Sequence, residues 1–297
     1  MRKDETDGIF GLLEKKPMKI MIVAKQNKIG ISRTKRLTKE LKKYTDKISY
    51  DPSTARKVRK LRKKGASISK FDGHMIITIG GDGTFLHTAH QANVPILPVR
   101  IEGHGFLCTI DFKELIKNLD KLMNRDYKIT HRTRLSCSKV SKGRVERYIS
   151  RIRHRTYPHA ANEIVFSRKR PSKILDIEFK VDDTVFSFVG DGIMIATPSG
   201  STAYHASAGG QVIDPSLDVI SILPLYPFFS NIKPLLIPAS KKIEISIKSG
   251  DCAVIVDGHG GEYISKNSEF IIEKGDPVKI INLSEYSFFE KFKKEFL

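Results

Sequence analysis

Three cysteines in 297 residues, odd in number and far apart at Cys108, Cys137 and Cys252, exclude a disulfide framework and offer no metal-ligand spacing. They read as reduced thiols used as small hydrophobes. No uninterrupted apolar run reaches membrane-spanning length, and the N-terminal Met1-Arg2-Lys3-Asp4-Glu5 carries no signal-peptide core. The expectation is a soluble cytoplasmic protein without a membrane partner. Internal repeats and low-complexity linkers are absent. So are a Walker phosphate loop and the Gly-x-Gly-x-x-Gly fingerprint. Acidic residues are scarce beside basic ones, 33 against 52, leaving a formal net charge of +19. A field of that sign draws in polyanions, whether nucleotides, polyphosphate or nucleic acid.

Two stretches supply much of the charge. From Thr54 to Lys64, Arg56, Lys57, Arg59, Lys60, Arg62, Lys63 and Lys64 leave only Ala55, Val58 and Leu61 as a narrow apolar stripe at helical spacing. From Arg125 to Arg155, Arg132, Arg134, Lys139, Lys142, Arg144, Arg147, Arg151, Arg153 and Arg155 are spread over strand-like sequence. General surface charge and substrate steering both remain open for these stretches.

The length suits two modest domains. In the first half, strands at Lys19–Ala24, Met75–Ile79 and Pro95–Val99 alternate with amphipathic helices. One helical stripe is Leu37, Leu41, Tyr44 and Ile48. Another is Phe112, Leu115, Ile116, Leu119, Leu122 and Met123, with Asp111 and Glu114 placed as a capping box. This alternation predicts a parallel sheet with helices on both faces. Past residue 126 the period becomes two: Leu175, Ile177 and Phe179 alternate with polar residues, as do Ile243, Ile245 and Ile247. Short runs at Glu163–Phe166, Val185–Val189, Ile193–Ala196, Ala253–Val256, Phe270–Ile272 and Val278–Ile281 extend a mostly antiparallel β half. The predicted organisation is an α/β domain over 1–125, a β-rich domain over 126–283, and an aromatic tail over 284–297 docked back on the body. With no hinge between the halves, the cleft between them is the default ligand site.

The chain is organised around His74-Met75-Ile76-Ile77-Thr78-Ile79-Gly80-Gly81-Asp82-Gly83-Thr84. A strand buried on both faces ends in three glycines around one carboxylate, and a helix follows with Thr84 near its cap. Glycine there permits positive φ or close approach by a ligand. Strand, turn and helix start form a phosphate cradle. Asp82 would repel phosphate unless it holds a metal or takes a proton, so it points to chemistry. The plain alternative is an Asp-Gly chain reversal.

A second constellation is Gly190-Asp191-Gly192-Ile193-Met194-Ile195-Ala196-Thr197-Pro198-Ser199-Gly200-Ser201-Thr202-Ala203-Tyr204, continuing to Ser207 and Gly210. It reads as an Asp-Gly turn, a buried strand, and a helix start offering amides, hydroxyls and the ring of Tyr204 to a polar, flat ligand.

Gly-Gly-Asp-Gly-Thr resembles the signature of a superfamily that holds NAD kinases, lipid kinases and 6-phosphofructokinases. The stretch from Gly190 to Tyr204 is similar to the adenine-nucleotide signature of NAD kinases, with Ser199 in place of a threonine. Asn162-Glu163 matches a third motif of that family, and Leu225-Tyr226-Pro227 with Lys233-Pro234-Leu235 agrees more weakly. Lipid kinases tend to carry Asn-Glu directly after the glycine turn, where this chain has Phe85-Leu86-His87. Phosphofructokinases lack the Ser-Thr-Ala-Tyr element. The resemblance to NAD kinases of archaeal or bacterial type covers roughly residues 18–283. One departure stands out: Arg100-Ile101-Glu102-Gly103-His104-Gly105-Phe106-Leu107 replaces the usual Gly-Ile-Asn-x-Gly-x-x-Gly-Phe-Leu, with glutamate for asparagine and a shorter loop.

The resemblance implies phosphoryl transfer from ATP or inorganic polyphosphate to the 2′-hydroxyl of the adenosine ribose of NAD, giving NADP, with a divalent metal, Mg2+ by chemistry. It implies Asp82 as the catalytic residue and Gly80, Gly81, Gly83, Thr84 and Phe85 at the phosphate or nucleotide. Asn162, Glu163, Asp191, Thr202, Ala203, Tyr204 and Ser207 would hold NAD; metal ligands stay unassigned. It also implies a homodimer or homotetramer, for which Leu225-Tyr226-Pro227-Phe228-Phe229 is a candidate apolar patch. The opposing reading is a polyanion or nucleic-acid binding protein on a degenerate kinase scaffold, or a related kinase with another acceptor. Joint presence of Asp82, Asn162, Glu163 and Asp191, and the absence of aromatic and basic interleaving, argue against nucleic acid. His87 and His90 could ligate a metal or simply pack. Asp257-Gly258-His259-Gly260-Gly261 could be a ligand loop or a hairpin turn, and Asp182-Asp183 reads as a hairpin turn.

Overall fold

The computed structural model describes residues 17–58, 64–103, 105–140, 157–285 and 287–296. Its first half runs β1 (Ile20–Ala24), α1 (Lys28–Leu41), β2 (Ile48–Tyr50), α2 (Pro52–Lys57), β3 (Met75–Gly80), α3 (Asp82–Ala89), β4 (Ile96–Arg100), β5 (Ile110–Asp111), α4 (Phe112–Lys117) and α5 (Leu119–Met123). Strands β2, β1, β3 and β4 pair in that order, all parallel. Every residue of β1 and β3 is buried, because helices cover both faces. Ile20, Ile22 and Ala24 join Leu37, Leu41, Phe112 and Leu115 in one core, while Met21 and Val23 join Phe85, Leu86 and Ala89 in another. The two-residue strand period thus divides one apolar run between two helix layers.

Local chemistry sets most boundaries. Asp111 accepts the amides of Lys113 and Glu114 while Glu114 accepts the amide of Asp111, the expected capping box, stabilising by about 1 kcal/mol. The stripe from Leu37 to Ile48 is not one helix: α1 stops at Leu41, and Ile48 opens β2. A three- or four-residue step cannot register a chain reversal that brings the next apolar residue back to the same core. The second stripe also divides, at Asn118. The helix expected from Thr54 to Lys64 is shorter than its stripe: α2, capped by Asp51, ends at Lys57, where Val58 turns to extended backbone, and 59–63 lie outside the described residues.

The second half contributes β6 (Lys128–Val140), β7 (Glu163–Arg168), β8 (Leu175–Val181), β9 (Thr184–Gly190), β10 (Gly192–Ala196), β11 (Val219–Leu225), β12 (Leu235–Pro238), β13 (Ile243–Ser249), β14 (Cys252–Val256), β15 (His259–Ile264) and β16 (Ser268–Asn282), with the short helix α6 (Tyr204–Ser207) and the tail helix α7 (Phe288–Phe296). Strands β12-β11-β10-β7-β14-β15 form a wholly antiparallel sheet. The runs expected at Phe270–Ile272 and Val278–Ile281 are two parts of β16, whose register against β6 shifts between Gly275 and Val278. The first part pairs with β13, and the second reaches β4 in parallel through Ile280 and Ile96. One ten-stranded sheet therefore runs through the change of sequence period near residue 126. Inward residues of both sheets, Ile164 and Phe166 with Phe179, Ile245 and Phe270, form the main core of this half.

Asp182 turns at φ 51° between β8 and β9, as expected. Of the second basic stretch, 141–156 lie outside the described residues. No helix among the described residues is long and apolar enough to cross a membrane. The three thiols are free and buried, and burial is the first cause of a pKa pushed up to about 12 at each.

Candidate active site

The glycine turn delivers α3 directly from β3. Gly81, in extended backbone, is the N-cap, and Thr84 sits inside the first turn rather than at the cap. Gly80, Gly81 and Gly83 do not use positive φ. Close approach explains Gly80, since a Cβ there would lie 2.1 Å from Thr84 Oγ1. Hypothetical Cβ atoms at Gly81 and Gly83 meet nothing within 4 Å, so the turn is open on that side. No side chain caps α3, which leaves its N-terminal end suited to an anion.

Asp82 is oriented by the loop that departs from the family pattern. Its Oδ2 accepts the Phe106 amide at 2.7 Å and its Oδ1 the Leu107 amide at 3.0 Å. The far end of α3 is held by Arg134, whose guanidinium donates to the Ala89 carbonyl at 2.6 Å. That cation at a helix C-terminus also complements the helix dipole. One member of the basic stretch is thus a buried structural residue.

Across the cleft, the connection from Ala160 to Glu163 is built around Asp257. Its Oδ1 accepts the amides of Asn162 (2.7 Å) and Glu163 (3.0 Å), and its Oδ2 accepts the Ala161 amide at 2.8 Å. His90, one residue past α3, meets Oδ2 at 2.7 Å. The Asp257 carboxylate, fully shielded from solvent, therefore ties the glycine-turn helix to the Asn-Glu segment. Asp257 does sit in a hairpin turn, with φ of 47° there and 71° at Gly258; turn and polar hub coincide. Residues near Asp257 in the chain do not mark the hub. His90 packs against this carboxylate, and among the described residues no three His, Cys, Asp or Glu side chains converge as a metal site.

Gly200 lets the turn after β10 approach Asn162, where an added Cβ would lie 2.2 Å from the Asn162 carbonyl. Thr197 Oγ1 closes the same corner by donating to the Ala161 carbonyl at 2.6 Å. Together these elements bound a cavity of about 250 Å³ lined by Asp82, Gly105, Phe106, Leu107, Asn162, Ser199, Thr202, Ala203, Glu295 and Phe296. Among the described residues, the buried Asn162 Oδ1 and Glu163 Oε2 meet no hydrogen-bond partner. Such orphaned atoms fit groups that a ligand supplies.

Of the predicted residues, Asp82, Asn162, Thr202 and Ala203 line this cavity; Gly80, Gly81, Gly83 and Thr84 form the turn and helix start that carry Asp82 and do not line the cavity. Phe85 does not reach it: 1% exposed, it packs in the core beneath α3. Tyr204 is half exposed on α6, and Ser207 is exposed at the end of that helix. Asp191 lies at the opposite end of β10, paired with Arg168 at 3.0 Å. The five residues of β10 separate it from the Asn162 corner by roughly 15 Å of strand. The tail helix, expected only to dock on the body, supplies two cavity residues, Glu295 and Phe296.

Glu163 is 4% exposed, and burial, then the neighbouring Asp257 carboxylate, push its pKa up to about 8. The folded value exceeds the unfolded one, so the native state keeps a proton that the unfolded chain releases. Stability is full below the unfolded value of 4.5 and falls as pH rises toward 8, by at most roughly 5 kcal/mol. Glu163→Gln should therefore melt higher than the unsubstituted protein at pH 8 and equally at pH 4.5 to 5. Parallel melting temperatures across that range would refute the shift.

Two family models match, the ATP-NAD kinase N-terminal domain over residues 12–127 and the ATP-NAD kinase C-terminal domain over 161–283. The NAD kinase of Methanothermobacter thermautotrophicus is 33% identical over 257 residues, 84% of this chain and 86% of that protein. A bifunctional NADP phosphatase/NAD kinase of Methanocaldococcus jannaschii is 38% identical over 206 residues, 68% of this chain, which spans only 34% of that longer protein. Among solved structures, yeast NADH kinase complexed with NADH superposes with a TM-score of 0.78 at 22% identity, covering 94% of this chain and 88% of that one, a likeness of fold. With both halves of the chain matched in order and a relative matched over most of both chains at this identity, the chain belongs to the ATP-NAD kinase family.

Proposed function

We propose that the chain transfers the terminal phosphoryl group of ATP to the 2′-hydroxyl of the adenosine ribose of NAD, giving NADP and ADP, in the cavity between Asp82 and Asn162. The observation that carries this reading is one cavity lined both by Asp82, from the glycine turn, and by Asn162, Ser199, Thr202 and Ala203. Asp82 receives the hydroxyl proton as the ribose oxygen bonds to the γ-phosphorus and the bond to the bridging oxygen of ADP breaks. The two amides on its carboxylate hold it in one orientation. The open side of Gly81 and Gly83 and the uncapped end of α3 receive phosphate. Asn162 Oδ1 and Thr202 bind the dinucleotide, and the exposed ring of Tyr204 offers a stacking face. Asp191, by its distance, has no part in this cavity within one chain.

Mg2+ is proposed as a companion of the donor phosphates, because that ion keeps several waters and is commonly bound through substrate phosphate oxygens. Its contribution there is neutralisation of phosphate charge. ATP is favoured over polyphosphate by the family's own description. A cytoplasmic location and a homo-oligomer formed through exposed Tyr226, Phe228 and Phe229 belong to the same proposal.

The test is NADP formation by the purified protein with NAD and magnesium, run in parallel with ATP, with polyphosphate and without donor. NADP from ATP is expected. A folded protein that binds NAD yet makes no NADP from either donor would refute the acceptor assignment.

A further inference from the structure

Helix α7 lies beyond the residues matched by either family model, yet it docks on the active cleft. The ring of Phe106 is surrounded by those of Phe288, Phe292 and Phe296, at centroid separations of 5.9, 6.4 and 5.4 Å. Between them Lys291 Nζ donates to the Phe106 carbonyl at 2.8 Å and to the Cys108 carbonyl. On the other side of the same loop, the Phe106 and Leu107 amides donate to the Asp82 carboxylate. The loop is thus held between an ammonium and a carboxylate, carbonyls toward the cation and amides toward the anion. Each charge aligns the peptide groups that the other uses.

Aromatic contacts already seat this helix on Phe106, and burying an ammonium carries a desolvation cost that an apolar side chain of similar length avoids. Burial lowers the Lys291 pKa, and the nearby Asp82 carboxylate opposes that shift. The helix also meets the segment before this loop at Arg100, while Glu102 is held from the first domain. Arg100 Nη1 pairs with Glu295 at 2.8 Å, and Glu102 is held by Lys25 at 2.7 Å and Asn27 at 2.8 Å.

We propose that Lys291 is a positioning residue for phosphoryl transfer: acting through the loop from Gly105 to Cys108, it fixes the orientation of the Asp82 carboxylate, which makes the tail helix part of the active site. This rests on the reading of Asp82 as the group that receives the hydroxyl proton.

The experiment compares Lys291→Met and Lys291→Arg in the full chain, each alone and combined with Asp82→Asn, by steady-state kinetics with NAD and ATP. Hydrogen exchange at the Phe106 and Leu107 amides supplies a readout independent of turnover. Lys291→Met should lower kcat by about 10- to 100-fold, with KM for NAD changed by less than about threefold. In the Asp82→Asn background it should add nothing, because both substitutions disable one unit. Lys291→Arg, able to donate to the same carbonyls, should restore most of kcat. Exchange at Phe106 and Leu107 should quicken while that of β3 does not. A normal kcat in Lys291→Met, or an equal loss in both backgrounds, overturns the proposal. Faster exchange throughout the chain, unrelieved in Lys291→Arg, also overturns it by reducing the lysine to a folding residue. Full turnover in Asp82→Asn alone removes the underlying reading, an outcome separate from the Lys291 arms.

Discussion

Asp82→Asn should lower kcat by about 10²- to 10⁴-fold while the melting temperature falls by no more than about 4 °C. The two effects separate because the carboxylate does two things of unequal weight. As a hydrogen-bond acceptor it holds the Phe106 and Leu107 amides. An asparagine keeps one of those contacts and sets an N–H against the other, a structural loss of about 1 kcal/mol. As a proton acceptor it has no substitute, and a loss of 10³ in rate corresponds to about 4 kcal/mol of transition-state stabilisation. Steady-state NADP formation and thermal denaturation on the same samples decide the matter. Turnover within threefold of normal, or a melting temperature that collapses along with activity, would remove Asp82 from its proposed role.

Asp257→Ala should produce the opposite pattern, a large loss of stability with activity falling as a consequence. The substitution leaves the amides of Ala161, Asn162 and Glu163 and the ring of His90 facing a hole in a site where Asp257 is 4% exposed. Removing one partner of such a buried network costs about 3 to 5 kcal/mol, a drop of about 5 to 10 °C in a chain of this size. Because Asn162 and Glu163 lose the anchor of their backbone, NAD binding at a permissive temperature should weaken as well. His90→Ala removes one contact of the four and should cost far less. Urea titrations of the two variants test the ranking. A mild Asp257→Ala would mean that water replaces the carboxylate and that the hub is not cooperative.

These expectations draw on sequence and structure in different proportions. Asp82 was legible from its local setting, because a buried strand ending in glycines around a carboxylate is a feature of a dozen consecutive residues. Asn162 and Thr202, which line the cavity with Asp82, are picked out by motifs of the same short range. Phe85 shows the limit of that range: adjacency to the glycine turn suggests the phosphate, whereas the helical turn rotates its side chain into the core. Asp257 read as a turn residue, which it is, and nothing near it in sequence announces that its carboxylate meets His90, 167 residues earlier.

By itself, then, the sequence determined the classes of element, the two sheet types, the glycine turn and the family, since each depends on side-chain period or on motifs within one or two elements. Tertiary structure alone decided that β16 joins β4 and carries one sheet across both halves, that Asp257 couples α3 to the Asn-Glu segment, and that the tail reaches back 185 residues so that Lys291 grips the loop over Asp82. Those contacts arise from strand order and from burial. A buried polar group takes whichever partner the packing brings within 3 Å, and that partner's position in the chain leaves no local trace.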